Sequence, residues 1–466
     1  MKANDLDVWQ QAKSIWQAQG LAADALADLT LPESAPSLPT SFHVSAVAQI
    51  SIGLAALAAA TIYHQRSGAR QQVSVPKAPA ERECTAYFRL DDNTPDSWEK
   101  FSGLYPAADG YVRVHANFDH HRDGVLQLLK LGPADQVAKD DVAAALLQWS
   151  AEDFETAAAE RGLVVAAARS FAEWDTHAHA MAMATQPLLT LTRLDDAEPL
   201  RLPPLAAHAR PLQEVKVLEL TRILAGPIAG RTLAAYGAEV LLINAPQLPN
   251  IASVIDTSRG KRSAHLDLRN SADQRQLQAL LADAHVFMQG YRPGAMAGLG
   301  LSPEDLAALR PGLIYASLSA YGDRGPWSQR RGFDSLVQTI SGFNHAEAQA
   351  AGELLPKSLP VPILDYATGF LLAFGTQAAL VRQAQEGGSW HVQVSLLQTA
   401  NWLRSLGRVD QGLARKFASM RNHLEEFPCA AGRLQGPAHA AQFSATPARW
   451  QVPSAYPGAH PPSWRR

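Results

Sequence analysis

The chain has 466 residues, with 41 Lys and Arg against 44 Asp and Glu and a formal net charge of −3. That length implies two to three domains, and the near-balanced charge excludes the basic field that would draw nucleic acid or an anionic membrane surface, leaving a small, locally recognised ligand. Two cysteines, Cys84 and Cys429, exclude a disulfide framework and a thiolate metal cluster, and the start lacks a charged-then-apolar secretory pattern, which points to the cytoplasm.

Residues 1–40 carry "DVWQQAKSIWQAQGLAADALADL", whose Trp, Ile, Leu and Ala recur at helical spacing, and end in the turn-rich "LPESAPSLPTS". A helical arm is expected there. The next segment, "VSAVAQISIGLAALAAATIY", approaches membrane-spanning length, but it is largely alanine with Ser45, Gln49 and Ser51 inside it, and it reads as a buried helix. Short strand-like runs, "QQVSV", "TAYFRL" and "YVRVHAN", then give way to helical patterns up to about 200, a mixed α/β region. The Pro-rich "EPLRLPPLAAHARPLQ" reads as a linker, with a boundary near 205.

Beyond it, apolar strands alternate with helices: "VKVLEL", "GPIAGRTLAAYG", "EVLLI", "SAHLDL", "SADQRQLQALLADA", "HVFMQGY", "SPEDLAALRPG", "LIYASLSAYG". This grammar implies right-handed βαβ crossovers and a parallel sheet, with ligands at the carboxyl ends of the strands. In "SPED", Ser302 is placed to cap a helix.

Three turns near those strand ends could bind anions. "LTRILAGPIAG" joins a strand to a helix, where free N–H groups favour a polar ligand, although it matches neither G-x-G-x-x-G nor the Walker pattern. "SRGKRSAHLDL" places Arg259, Lys261 and Arg262 around Gly260, and "GYRPG" adds Tyr291 and Arg292; solvated loops would carry the same cations. At "VPILDYATGF", Asp365 begins a long apolar-faced helix and reads first as an N-cap, a role that does not exclude a carboxylate nucleophile held ionised by the helix terminus. His120, His121, His177 and His179 lack metal-ligand spacing, and neither a G-x-S-x-G elbow nor a Cys–His arrangement is present.

Taken in order from 215 to 400, "VKVLELTRILAGPIAGRTLAAYGAEVLLI", "RGKRSAHLDL", "YRPGAMAGLGL", "LRPGLIYASLSAYGDRGPW", "GFDSLVQTISGF" and "ILDYATGFLLAFGTQAAL" resemble the family III CoA-transferases. The resemblance implies an α/β protein with a Rossmann-like large domain, a smaller α/β domain, and subunits interlocked as a homodimer. It assigns the nucleophile to Asp365. It lays coenzyme A along Arg222, Ile223, Leu224 and Ala225 and near Lys261, Arg262, Tyr291 and Arg292. The substrates it implies are an acyl-CoA and a carboxylic acid, with no metal or redox cofactor. Water must be kept from the anhydride intermediate, and backbone donors near Gly369 or in a neighbouring loop are candidates for holding the oxyanion. The racemase branch of the family uses a histidine where this chain has Phe333, which argues for transfer over racemisation. Asn244, Ala245 and Gly290 also depart from the family pattern.

The N-terminal half resembles a blurred copy of the same pattern. "SAVAQISIGLAALAAATIYHQRSGARQQVSV" aligns with "LDYATGFLLAFGTQAALVRQAQEGGSWHVQV" when Val73 is set against Val392, which puts Ala46 opposite Asp365. The expected architecture is therefore partly duplicated: a helical arm over 1–40, a degenerate first copy containing the small domain over 41–205, the large domain with the nucleophile over 206–410, and a C-terminal tail over 411–466.

Overall fold

In the computed structural model residues 6–465 are described, apart from 97, 207 and 418. The N-terminal arm begins with α1 (Val8–Ala18), started by the Asp7 carboxylate accepting from the Gln10 N–H, and it buries Ala12 and Trp16. A two-residue strand β1 (Leu29–Thr30) leads to α2 (Val44–Ser67), the alanine-rich segment. Alanine suits this position because a helix apolar on every side belongs inside a protein, and small side chains let neighbouring helices approach closely. Gly68, at φ 76°, closes α2, and β2 (Val73–Ser74) pairs parallel with β1.

A second unit has its own core. Strands β3 (Gly103–Pro106), β4 (Tyr111–Val114) and β5 (Val165–Ala167) form a small antiparallel sheet. Helices α3 (Asp119–Leu128), α4 (Lys139–Leu146) and α5 (Ala151–Glu160) cover it, burying Val112, Val125, Leu146 and Phe154. This unit lies within the 41–205 segment, where the resemblance implies a smaller α/β domain.

The large sheet is built from β6 (Leu189–Arg193), β7 (Lys216–Leu220), β8 (Glu239–Asn244), β9 (Arg262–His265), β10 (Val286–Gln289), β11 (Ile314–Ser319) and β12 (Trp390–Ser395). Its spatial order is β9-β8-β7-β10-β11-β12-β6, parallel except for the β6 edge. The order winds outwards in both directions from β7 and β10, so the crevice between their carboxyl ends is the topological switch point where such sheets bind ligands. Helices α6 (Ala225–Ala235), α7 (Ser271–Ala282) and α8 (Pro303–Leu309) make the crossovers. At α8, Ser302 and Asp305 form a reciprocal capping box, as the "SPED" reading expects.

The chain then forms α9 (Asp334–Ile340), the long helix α10 (Ile363–Glu386) and, after β12, α11 (Leu396–Ser405). Helix α10 packs against both α2 and α6. Both α2 and α10 are apolar and long enough to cross a membrane, and both are instead buried in the fold. They have equal length: aligning Val44 with Ile363 carries through to Ser67 and Glu386, sets Ala46 opposite Asp365, and sets Val73 opposite Val392.

The packing does not follow the sequence boundary at 205. α1, α2, β2 and β6 share one core with one face of the large sheet, so this core draws on both sides of that boundary; the sheet's strands and α7 and α8 enclose a second, and the β3–β5 unit has its own. The tail is packed as well. Strand β13 (Gln442–Phe443) pairs with β2, and the Trp450 indole donates to the Arg231 carbonyl at 2.9 Å.

Candidate active site

The turn after β7 is fixed from below. Glu219 and Lys261 are fully buried and paired, Nζ to Oε2 at 2.8 Å, and Lys261 also donates to the Pro227 carbonyl in the first turn of α6. Burial opposes charge on both partners, raising the Glu219 pKa and lowering that of Lys261, while their contact works the other way. A methyl on Gly230 would lie 1.8 Å from Glu219 Oε2, so α6 needs glycine there to pass over the pair. On this base Ile223 adopts φ 74°, a strained conformation for a β-branched residue that occurs mainly where a site demands it.

Above the turn lies a cavity of about 320 Å³ at the switch point. One wall is Arg222, Ile223, Leu224 and Ala225; a second is the turn after β10 with Tyr291 and Arg292; a third is the loop before α9 with Arg331 and Phe333. Phe118, His120 and His121 of the small domain close it, so both halves of the chain contribute. Arg222 lies over the Phe118 ring at 5.5 Å and donates to the Pro249 carbonyl, and its buried Nε has no hydrogen-bond partner among the described residues. Arg331 approaches His121 Nε2 through Nη1 at 3.1 Å. Arg330 also lines the cavity, but its guanidinium is engaged by the Trp327 ring at 4.2 Å and by Glu155 at 3.9 Å. Among the described residues Arg222, Arg292 and Arg331 make no carboxylate salt bridge, and their charges would suit a polyanion.

Asp365 lies on the wall of this cavity, 9% exposed, in the first turn of α10. It is not the cap. The capping position is Pro362, and the orphan N–H groups of Leu364 and Asp365 donate to Oδ2 of Asp334, at 2.8 and 3.2 Å. Sequence reasoning left capping and nucleophilic roles open; the geometry gives the capping work to Asp334 and leaves the Asp365 carboxyl to the cavity. Burial, and then the Asp334 charge, push the Asp365 pKa well above the usual carboxylate range. Burial pushes Asp334 up to about 6 against the pull of its own hydrogen bonds and of Arg113.

Two expectations are corrected. Lys261 and Arg262 do not reach the cavity: Lys261 is spent on Glu219, and Arg262 donates to the carbonyls of Pro461 and Ser463 in the tail, 3.6 Å from Glu239. Gly369 is not placed to hold an oxyanion. It sits at the crossing of α10 and α6, where an added methyl would be 2.5 Å from the Ala225 carbonyl oxygen. The expected Arg222, Ile223, Leu224, Ala225, Tyr291 and Arg292 are together in the cavity. Phe118, His121, Arg331 and Asp334 were not foreseen as site residues, although Asp334 lies in the quoted "GFDSLVQTISGF". Of the departures from the family pattern, Asn244 is buried, with its Nδ2 unpartnered among the described residues, and Gly290 faces open space with only the Thr221 side chain at 3.8 Å. His179 accepts from the Trp327 N–H and contacts the Tyr321 carbonyl, a packing role. No group of three potential metal ligands occurs among the described residues.

Comparisons with known proteins point to one family. Residues 212–429 match the family model described as CoA-transferase family III. An acyl-CoA transferase of Gibberella moniliformis is 32% identical over 316 residues, covering 63% of this chain and 55% of the relative. A probable fatty acyl-CoA transferase of Mycobacterium tuberculosis is 34% identical over 43% of this chain and 54% of its own length, and the human succinyl-CoA:glutarate CoA-transferase is 32% identical over 41% and 46%. Among solved structures, a CaiB/BaiF family protein from Brucella suis is 26% identical over 48% of this chain and 65% of its own, with a TM-score of 0.38. The chain spans about half the length of the curated relatives it matches first. Residues 212–429 of the chain are thus similar to CoA-transferase family III.

Proposed function

We propose that this protein is a CoA-transferase that moves coenzyme A from an acyl-CoA to a carboxylic acid, with Asp365 as nucleophile. The observation that carries the reading is the placement of Asp365: a carboxyl relieved of capping, on the wall of a cavity where Arg222, Arg292 and Arg331 have no carboxylate salt bridge among the described residues. Coenzyme A offers phosphates to such arginines and delivers a thioester to the carboxyl.

In this reading an Asp365 oxygen attacks the thioester carbonyl carbon. The C–S bond breaks, leaving CoA thiolate and a mixed anhydride between Asp365 and the acyl group. The thiolate attacks the aspartyl carbonyl, releasing the donor carboxylate and forming an Asp365–CoA thioester. The acceptor carboxylate attacks that thioester and regenerates thiolate and an anhydride; the thiolate then attacks the acceptor's acyl carbon, and Asp365 leaves as carboxylate. The thioester bond energy is conserved, so neither ATP nor a metal enters the scheme. Tyr291, Phe118 and Phe333 would help keep water from the anhydride.

The relatives' names supply the donors and acceptors to try: fatty acyl-CoAs, and succinyl-CoA with glutarate. Such a panel, read by mass spectrometry, should show exchange of CoA between a donor and an acceptor. Tight acyl-CoA binding with no exchange for any pair would instead favour a non-catalytic acyl-CoA-binding protein, a role that the departures at Asn244, Ala245 and Gly290 suit. We also propose a homodimer in which each copy owns a complete cavity, since Phe118 and His121 come from the same chain as Asp365. Light scattering coupled to size exclusion tests that point, and a monomeric mass would contradict it.

A further inference from the structure

Two buried carboxyls meet at the first turn of α10, and they are not equivalent. Asp365 lines the cavity. Asp334 turns its Oδ2 to the backbone N–H groups of Leu364 and Asp365, and its Oδ1 accepts from Gln338 Nε2. The amide oxygen of that Gln338 accepts in turn from the Leu359 N–H at 2.9 Å, so its orientation is fixed. From the small domain, β4 presents Arg113, 6% exposed, whose Nη2 donates to Ser358 Oγ at 2.7 Å and whose Nε has no partner among the described residues. Arg113 and Asp334 form no ion pair within 4 Å among the described residues, and the Arg113 charge is the smallest of the influences favouring an ionised Asp334, after its hydrogen bonds. The other titratable groups around the pair are His115, stacked on Phe333 at 4.2 Å, and His121, both driven by burial to about 3 and therefore neutral, with His120, Arg222, Arg292, Arg330 and Arg331 around the cavity.

We propose that Asp334 is a positioning residue for Asp365: one oxygen holds the first turn of α10 by two backbone hydrogen bonds, its charge opposes that of Asp365, and Arg113 from the N-terminal half is its counter-charge. Without the Asp334 oxygen two buried N–H groups would lose their acceptor and the turn carrying Asp365 would loosen. With the oxygen but without the charge, the turn would hold and Asp365 would give up its proton more easily. A single side chain therefore has two separable effects. Arg113 ties both to the small domain, which in this reading is needed for the electrostatics of the site as well as for its shape. The catalytic consequence rests on the transferase reading; the pairing itself does not.

The test is the titration of carboxyl-13C-aspartate resonances in the full chain, with Asp334 and Asp365 assigned from Asp334→Asn and Asp365→Asn. Asn keeps an oxygen for the two N–H groups, and in Asp334→Asn the Asp365 resonance is expected to titrate at lower pH by about one unit or more. In Arg113→Gln the Asp334 resonance is expected to move above its starting value of about 6. The acid limb of kcat/KM should follow the Asp365 resonance in Asp334→Asn, while Asp334→Ala, lacking the acceptor, should lose on the order of 10- to 100-fold in kcat with little change in KM. An unmoved Asp365 resonance in folded Asp334→Asn overturns the proposal. If that variant fails to fold, the Asp334 resonance is assigned from Asp334→Glu, which removes the aspartate signal and keeps a carboxylate, and Arg113→Gln decides: an Asp334 resonance that stays in place refutes the pairing. Because the resonances are read without turnover, an inactive protein showing both shifts would refute the transferase reading and leave the pairing standing.

Discussion

Gly369→Ala adds one methyl where α10 crosses α6. An ideal Cβ there would lie 2.5 Å from the Ala225 carbonyl oxygen and 2.8 Å from Ile228 Cβ, against ordinary contacts of 3.4 Å and more. The carbonyl is backbone in the first turn of α6 and cannot rotate away, so the two helices must part by about 0.9 Å. Stability will report this poorly. Alanine favours a helix interior by about 1 kcal/mol over glycine, while overpacking costs about 1–3 kcal/mol, and the two largely offset. Activity should report it well, because α6 carries Leu224 and Ala225 of the cavity wall and α10 carries Asp365. A misplacement of about 1 Å between binding and reacting groups costs roughly 100-fold in rate. The expected outcome is a fall of that order in kcat/KM for acyl-CoA, with urea unfolding changed by less than about 2 kcal/mol. Wild-type kcat/KM in the alanine variant would refute the claim that this crossing sets the distance between coenzyme and nucleophile.

Other expectations follow from the same geometry. Turnover should rise with pH on the acid side, because in the proposed mechanism Asp365 attacks in its ionised form and its pKa is raised by burial and by Asp334. Stability should move the other way: a carboxyl whose folded-state pKa is raised costs stability as pH climbs from its unfolded value, so Asp365→Asn should flatten part of the decline in urea midpoint between acid and neutral pH, and an unchanged slope would contradict the shift. Lys261→Met strands Glu219 in the core and should cost about 3–5 kcal/mol, whereas Arg292→Ala should leave the urea midpoint alone and weaken CoA binding several-fold at low salt; calorimetry on both separates structural from binding cations. A chain starting at Pro211 would lack α2, β6 and the small domain, exposing the β12 edge and one face of α10; it should aggregate or lose turnover, and full activity in a soluble truncated protein would refute the two-half architecture.

Much of the large sheet could be read from the alternation of apolar strands and helices, because in βαβ units neighbours in sequence become neighbours in space. The same locality explains the misplacement of Lys261 and Arg262. Their partners are Glu219, 42 positions earlier, and the tail carbonyls of Pro461 and Ser463, about 200 positions later, and no pattern around "RGKR" distinguishes a cation buried in an ion pair from one that meets a ligand. Asp365 was legible through its motif, but whether it caps its helix depended on Asp334, about 30 residues away and read from the sequence only as part of a triplet lacking histidine. Phe118 and His121 reach the cavity through the docking of a separate unit, which no local periodicity encodes. Gly369 shows a further limit: a glycine in a motif signals a close approach, and only the structure tells whether a ligand or another helix makes it.

The central claim is that Asp365 forms a covalent bond with the acyl group and then with coenzyme A. Hydroxylamine added during turnover with a donor acyl-CoA should convert the activated carboxyl to a hydroxamate, seen by mass spectrometry on the peptide containing "ILDYATGF". Asp365→Asn should lose both the adduct and transfer by several orders of magnitude while keeping the fold, since the N–H groups of the turn remain held by Asp334. Full activity of Asp365→Asn, with intact mass excluding deamidation, or an adduct on another residue, would contradict the account.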